Sequence, residues 1–257
     1  MRENKPLVVY SILLINLLIW VLTEIIGSSR DPMTLRQFGA ITYLDINNGD
    51  YWRLFFAIFL HVGAGHLAVN CLSLLIMGGL LEKMVGHSRF AVIYIGAGIS
   101  GSSFSYLMIP FLGVGAGASG AIFGCVGALA GYFIVNRKSM GEMGKQNLNA
   151  VLILAGINFA FGYIVPGIDN WAHLGGFIAG AILGIGVVPR AKSLYPINFI
   201  QDYGRKPFSS IKIRTVISIS FAILMVICTL YLGNTRLIGK AEIKPYWGSQ
   251  LIAEVSC

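Results

Sequence analysis

Charge is what this chain has least of. Only 12% of its 257 residues are Asp, Glu, Lys or Arg, against roughly 25% in an ordinary soluble domain. From Phe90 to Asn136 there is no charged residue at all, and 56% of the chain is hydrophobic. A mean hydropathy of +0.74 with 32 glycines argues against a water-soluble globule and for packed membrane helices, where glycine is commoner than in soluble ones. Cysteine is scarce as well. Cys71, Cys125 and Cys228 lie inside apolar runs and Cys257 is the last residue, which excludes a disulfide framework and reads as small buried hydrophobes. No repeat or low-complexity tract is present. No small-x-small cleavage site follows the first apolar run, so Arg2 and Lys5 read as the flank of a retained anchor, not of a signal peptide.

What is present is a series of apolar runs. A crossing needs about 20 such residues, and clear runs fall at 7–26, 90–107, 148–165, 171–188 and 215–232. The long uncharged stretch has room for another helix at 119–135. Gly63 and Gly65 split the segment 54–80 into a membrane-surface piece, 52–61, and a span at about 65–81. The expectation is an all-α polytopic membrane protein of seven helices. The segments expected are 1–44 (anchor helix and start of the first external loop), 45–190 (core), 191–214 (basic cytoplasmic linker) and 215–257 (seventh helix and external tail). The net charge of +8 would suit nucleic acid, but the basic residues sit in short loops between apolar runs, so topology accounts for them and no nucleic-acid partner is expected. With seven crossings, 13 Lys and Arg share the N-terminal side and six the other. The N-terminus is therefore expected in the cytoplasm, in a multi-pass protein of a bacterial plasma membrane.

The stretch "GVGAGASGAIFG", residues 113–124, ends one of the uncharged loops and opens a helix. It matches a dinucleotide fingerprint in form, Gly115-x-Gly117-x-x-Gly120, but no strand or βαβ unit is expected around it. It also approaches a hydrolase elbow, yet Ala121 stands where the last glycine belongs and no sheet is expected. The loop before Ser119 is too apolar for water, and irregular backbone at membrane depth must pack in protein or line a wet cavity. Ser119 therefore starts its helix below the outer surface, facing something polar.

Polar groups inside spans are costly and so pair, line water or carry function. "HLAVN" sets His66 and Asn70 four residues apart on one helix face, and "DNWAHLGG" puts His173 near the external end of the sixth span. Ser119, His66, Asn70 and His173 thus converge at one depth on the external side. Each alone has an ordinary explanation as a back-bonded serine or an interfacial histidine; the four together point to nucleophilic chemistry. His173 would take the Ser119 proton and return it to a leaving amine. The Ser119 N–H at a helix start, with His66 and Asn70 and the supporting Gly117 and Ala118, would hold the oxyanion. Phe123, one turn beyond Ser119, would stack on the His173 ring. Asp169, four residues before His173, is a weaker candidate to orient it. Gly176, Gly180 and Gly184 lie within about 20–60° of His173 on a helical wheel, and Gly120, Gly124, Gly127 and Gly131 form a stripe beside Ser119. Such stripes let two helices approach closely enough for a Ser–His pair.

Four segments, "WRLFFAIFLHVGAGHLAVN", "GGLLEKMVG", "GASGAIFG" and "AHLGGFIAG", in this order over about residues 45–190, resemble the rhomboid family of intramembrane serine proteases. The resemblance implies a six-helix bundle with one added C-terminal helix, Ser119 as nucleophile and His173 as base. It puts His66 and Asn70 at the oxyanion site and Trp52 and Arg53 in a half-inserted first loop. It implies no cofactor or metal, and single-pass membrane proteins in the bilayer as substrates. Phe123 departs from the tyrosine many relatives carry, so a hydrogen bond from that hydroxyl is not available. A catalytically silent rhomboid-like chaperone is the nearer alternative, although it would lack Ser or His. A transporter is the farther one, although no charged relay or pair of broken half-helices is visible. Zinc and aspartyl intramembrane proteases fit worse, with neither His-Glu-x-x-His nor Gly-x-Gly-Asp present.

Overall fold

The computed structural model describes residues 5–188 and 213–235. The expected basic linker, apart from its last two residues, and the tail beyond 235 lie outside the described residues. Six described helices are long and apolar enough to cross a membrane: Leu7–Ile26, Gly63–Val85, His87–Met108, Ser119–Ile164, Asn170–Val187 and Ile213–Thr235. Ser119–Ile164 has 46 residues, and Gly141 (φ 54°, ψ −135°) breaks it into arms 119–140 and 142–164. Each arm is about 33 Å long at 1.5 Å per residue, enough for one crossing. The chain is therefore an all-α, multi-pass membrane protein, and the crossings among the described residues are numbered one to seven in chain order.

The hydropathy reading ended span four at 135 and began span five at 148, leaving Arg137, Lys138 and Lys145 in a loop. Instead the helix runs through these residues and turns at one glycine. Lys, Arg, Glu and Met are good helix formers, so charge marks where lipid ends rather than where the helix ends. Span two also runs past its expected limits and contains a π-helical stretch, Leu74–Gly78, which apolar spacing does not reveal.

Span four is the central pillar. In its most apolar window 83% of residues are buried, against 22% in spans one and seven. Lipid supplies no hydrophobic force between helices, so small residues that allow backbone contact gather at the centre. Large side chains such as Leu14, Leu18, Phe221 and Ile227 point outward. Cys228 is exposed among them and Cys71 is half-buried, so of the described cysteines only Cys125 is the enclosed hydrophobe expected. At one end of the bundle the buried Glu82 carboxylate accepts the Val8 N–H at 2.9 Å and the Val9 N–H at 2.8 Å. It also meets His87 Nδ1 at 2.5 Å. One side chain thus satisfies two unpaired N–H groups at the start of span one and ties it to spans two and three.

The first loop folds on capping and ion pairing. Asp31 caps Pro32–Gln37, with Pro32 at the first helical position, and Thr42 caps Tyr43–Asn47. Arg36 grips Asp45 with two bonds, 2.7 and 2.6 Å. Buried Arg53 donates to the carbonyls of Arg36 at 2.6 Å and Ala40 at 3.2 Å, and to Asp50 at 3.1 Å. The expected surface piece 52–61 resolves into a short helix, Arg53–Phe56, and a 3-10 turn, Ala57–Phe59, whose three residues are all buried. Two short strands, β1 (Ile41–Thr42) and β2 (Val114–Gly115), pair antiparallel with Ile41 opposite Gly115. The sequence reading expected no strand before Ser119. This ladder corrects that without restoring a dinucleotide fold, because it is antiparallel and joins two loops.

Candidate active site

Ser119 is the first residue of span four. The approach to it is fixed by the β1–β2 ladder and by the Gly117 N–H, which donates to the Ala57 carbonyl at 3.0 Å. Gly117 has φ +143°, where side-chain-bearing residues are strained, and a Cβ there would lie 2.8 Å from His66 Cε1 and 3.8 Å from Ser119 Oγ. Glycine is needed at 117 on both counts, and its lack of a side chain leaves room for the His66 imidazole. Ala118 follows as a buried helix cap with φ −70° and ψ −10°.

On span two the Val62 N–H donates to His66 Nδ1 at 3.3 Å. An accepting Nδ1 leaves the proton of the neutral ring on Nε2, the nitrogen 3.1 Å from the position of a Gly117 Cβ. His66 therefore carries its donor hydrogen on Nε2, on the Gly117 side of the ring. Asn70 is buried one turn on and spends one amide hydrogen on the His66 carbonyl at 3.0 Å, the local back-bond common for polar residues in helices.

His173 sits in the first turn of span six and is buried. Its ring lies flat on Phe123, with centroids 4.1 Å apart and planes 11° apart, and Phe159 closes in edge-on at 6.4 Å. His173 Nδ1 is buried with no hydrogen-bond partner among the described residues. Asp169 does not supply one. Its Oδ1 caps span six by accepting the Ala172 N–H at 2.9 Å, and its Oδ2 accepts the Ser105 hydroxyl of span three. Asp169 thus sets where the helix of His173 begins and does not hydrogen-bond the ring.

The glycines bring spans four and six together. A Cβ at Gly176 would lie 2.7 Å from the Gly120 carbonyl carbon, one at Gly180 2.6 Å from that of Gly124, and one at Gly184 2.7 Å from Ala128 Cα. Gly127 and Gly131 meet Phe177 and Ala181 in the same way. Backbone therefore touches backbone along the seam. No Ser119–His173 hydrogen bond is formed among the described residues in this resting geometry; seam packing and the Phe123–His173 stack bring their helices together.

A cavity of about 20 Å³, lined by Ser119, Gly117, Ser102, Ser105, Asp169 and Ile41 among others, adjoins the serine. That is room for about one water. His66, Asn70 and His173 do not line it. Ser102 and Ser105 were missed by the sequence reading, although "SGSSFS" places several hydroxyls inside a span and the rule that polar groups in lipid need a reason would have flagged them.

These features define a class first: a multi-pass helical membrane protein whose bundle holds a serine at a helix start, beside a small cavity that also meets two hydroxyls and a carboxylate. The particular family follows from comparison with known proteins. Residues 48–190 match the Rhomboid domain family. Rhomboid protease GluP of Bacillus subtilis (strain 168) is 42% identical over 179 residues, which covers 70% of this chain and 34% of GluP. RHOMBOID-like protein 1 of Arabidopsis thaliana is 39% identical over 153 residues, 59% of this chain and 39% of that protein. YdcA of Bacillus subtilis is 31% identical over 192 residues, 73% of this chain and 92% of YdcA. The chain belongs to the rhomboid family. It spans about a third of the length of GluP and two fifths of that of RHOMBOID-like protein 1.

Proposed function

We propose that the chain is an intramembrane serine endopeptidase working through a Ser119–His173 dyad. The observation that carries this reading is the Phe123–His173 stack at 4.1 Å. Phe123 lies four residues after Ser119 and so on the same helix face, which ties the histidine ring to the face that bears the hydroxyl. His173 removes the Ser119 proton as Oγ attacks a peptide carbonyl, then donates it to the departing amine. The tetrahedral oxyanion forms beside the Ser119 N–H at the start of span four, where unpaired donors and the helix dipole favour negative charge. His66 Nε2–H and Asn70 Nδ2 add donors from span two. A water then attacks the acyl-enzyme, with His173 again as base.

Substrates are single-pass membrane proteins cut near the external end of their helix. The distribution of Lys and Arg supports an N-terminus in the cytoplasm and a site open to the outside. Unwinding a helix in lipid exposes backbone groups at several kcal/mol each, so glycine, proline or polar residues near the bond favour cleavage. The test uses the purified protein with a fluorophosphonate probe and a single-pass substrate. Ser119→Ala and His173→Ala are expected to keep wild-type melting and to lose turnover, with labelling mapped to Ser119. Retained turnover in either variant refutes the dyad.

A further inference from the structure

We infer that span seven positions the nucleophile: its Gly233–Asn234 end holds the first loop, and that loop holds the strand leading into Ser119. The inference rests on the proposed role of Ser119. The Tyr43 hydroxyl donates to the Gly233 carbonyl at 3.0 Å, and the Tyr43 ring stacks on Tyr106 with centroids 5.5 Å apart. The Tyr106 hydroxyl donates to Asn234 Oδ1 at 2.5 Å, and Asn234 Nδ2 donates to the Tyr51 hydroxyl at 3.4 Å. A Cβ at Gly233 would lie 2.9 Å from Tyr106 Cδ1, so the tyrosine packs on bare backbone. Tyr43 and Tyr106 are buried, at 2% and 0% exposure.

The connection to the site is short. Tyr43 directly follows β1, whose Ile41 pairs with Gly115 of β2 and lines the cavity beside Ser119. Only three residues separate Gly115 from Ser119. A span serving as a lipid anchor alone has no use for these bonds. Thr215, Ser218, Ala222, Thr229 and Gly233 instead form a buried stripe of small and polar residues on span seven, at steps of three, four, seven and four residues, the pattern of a packed helix face. The other end is held separately: Arg214 donates to the Val188 carbonyl at 2.9 Å and Thr215 to the Gly186 carbonyl at 3.0 Å. Changes at Asn234 therefore leave the helix docked on span six.

The experiment uses the full chain with Asn234→Leu and Tyr43→Phe. Freed from the clamp, the strand before Ser119 shifts by a fraction of an ångström. A misplacement of about 1 Å costs on the order of 10²-fold, so we expect kcat and the rate of fluorophosphonate labelling to fall about tenfold. KM should stay within about twofold, because substrate contacts are not removed. Amide exchange across 113–119 should quicken while global melting holds. Tyr106→Phe added to Asn234→Leu should cost no more than Asn234→Leu alone, because both remove the same bond. Wild-type kcat and labelling in both variants, or unchanged exchange at 113–119, overturns the inference. If Asn234→Leu fails to fold, Tyr43→Phe, which removes one hydroxyl, carries the same comparison. A wild-type chain that neither labels nor cleaves removes the protease reading, while the exchange measurement still decides the coupling.

Discussion

A single methyl group at Gly180 puts a magnitude on the seam between spans four and six. In Gly180→Ala the new Cβ would lie 2.6 Å from both the carbonyl carbon and Cα of Gly124. Non-bonded carbons prefer about 3.5–4.0 Å, so the helices must part locally by about 1 Å. Both opposing atoms are backbone, and no rotamer change can absorb the clash. Overpacking of this kind costs about 1–3 kcal/mol. The larger effect falls on rate. Gly180 is two turns, about 10 Å, from His173 along a stiff helix, so the separation carries to the Ser119–His173 gap and lowers kcat about 100-fold. Gly156→Ala on span five is the control, since a Cβ there meets nothing within 4 Å; it should be neutral or stabilise by up to about 1 kcal/mol. Substrate cleavage, probe labelling and thermal melts are compared for the two variants. Cleavage by Gly180→Ala within about threefold of wild type would show that close seam packing is not what sets the site.

Two further outcomes follow from other parts of the structure. Phe123→Leu removes the ring that lies on His173, and stacking worth about 0.5–1.5 kcal/mol predicts a kcat about 2- to 12-fold lower, whereas Phe123→Tyr keeps the ring and most of the rate; equal kcat for Leu and Phe at 123 would deny the stack any role. Arg36 hydrogen-bonded to Asp45 holds that carboxyl below its ordinary value, so its contribution to stability is complete above about pH 4 and is lost as pH falls through the lower folded value. Melting curves across the acid range should show this limb flattened in Asp45→Asn, and an unchanged acid limb would place the sensitivity elsewhere.

Much of the fold was legible because the cost of a polar group in lipid is local to each residue. Runs of apolar residues located the crossings, and counting from span ends gave the expectation that Ser119, His66, Asn70 and His173 share one depth. The same local rule placed the turn between spans four and five in the right stretch but made it a long loop, whereas Arg137 and Lys138 are content in a helix and the break is confined to Gly141. It also gave no sign of the π-stretch at Leu74–Gly78 or of the Ser105–Asp169 link, which depend on what faces each residue.

By itself the sequence determined the class: a helical membrane bundle, its small-residue stripes, and the polar residues that such a bundle tolerates only for a reason. Tertiary structure alone decided how they meet. The His66 proton lies on Nε2 because Val62 donates to Nδ1, Asp169 caps span six instead of holding the His173 ring, and β1 braces the strand before Ser119. Gly233 and Asn234 reach Tyr43, Tyr51 and Tyr106 across gaps of more than 100 positions. Hydropathy and helical periodicity are sums over neighbours in the chain, whereas hydrogen-bond choice and ring stacking depend on distances between residues far apart in it, which exist only once the helices have packed.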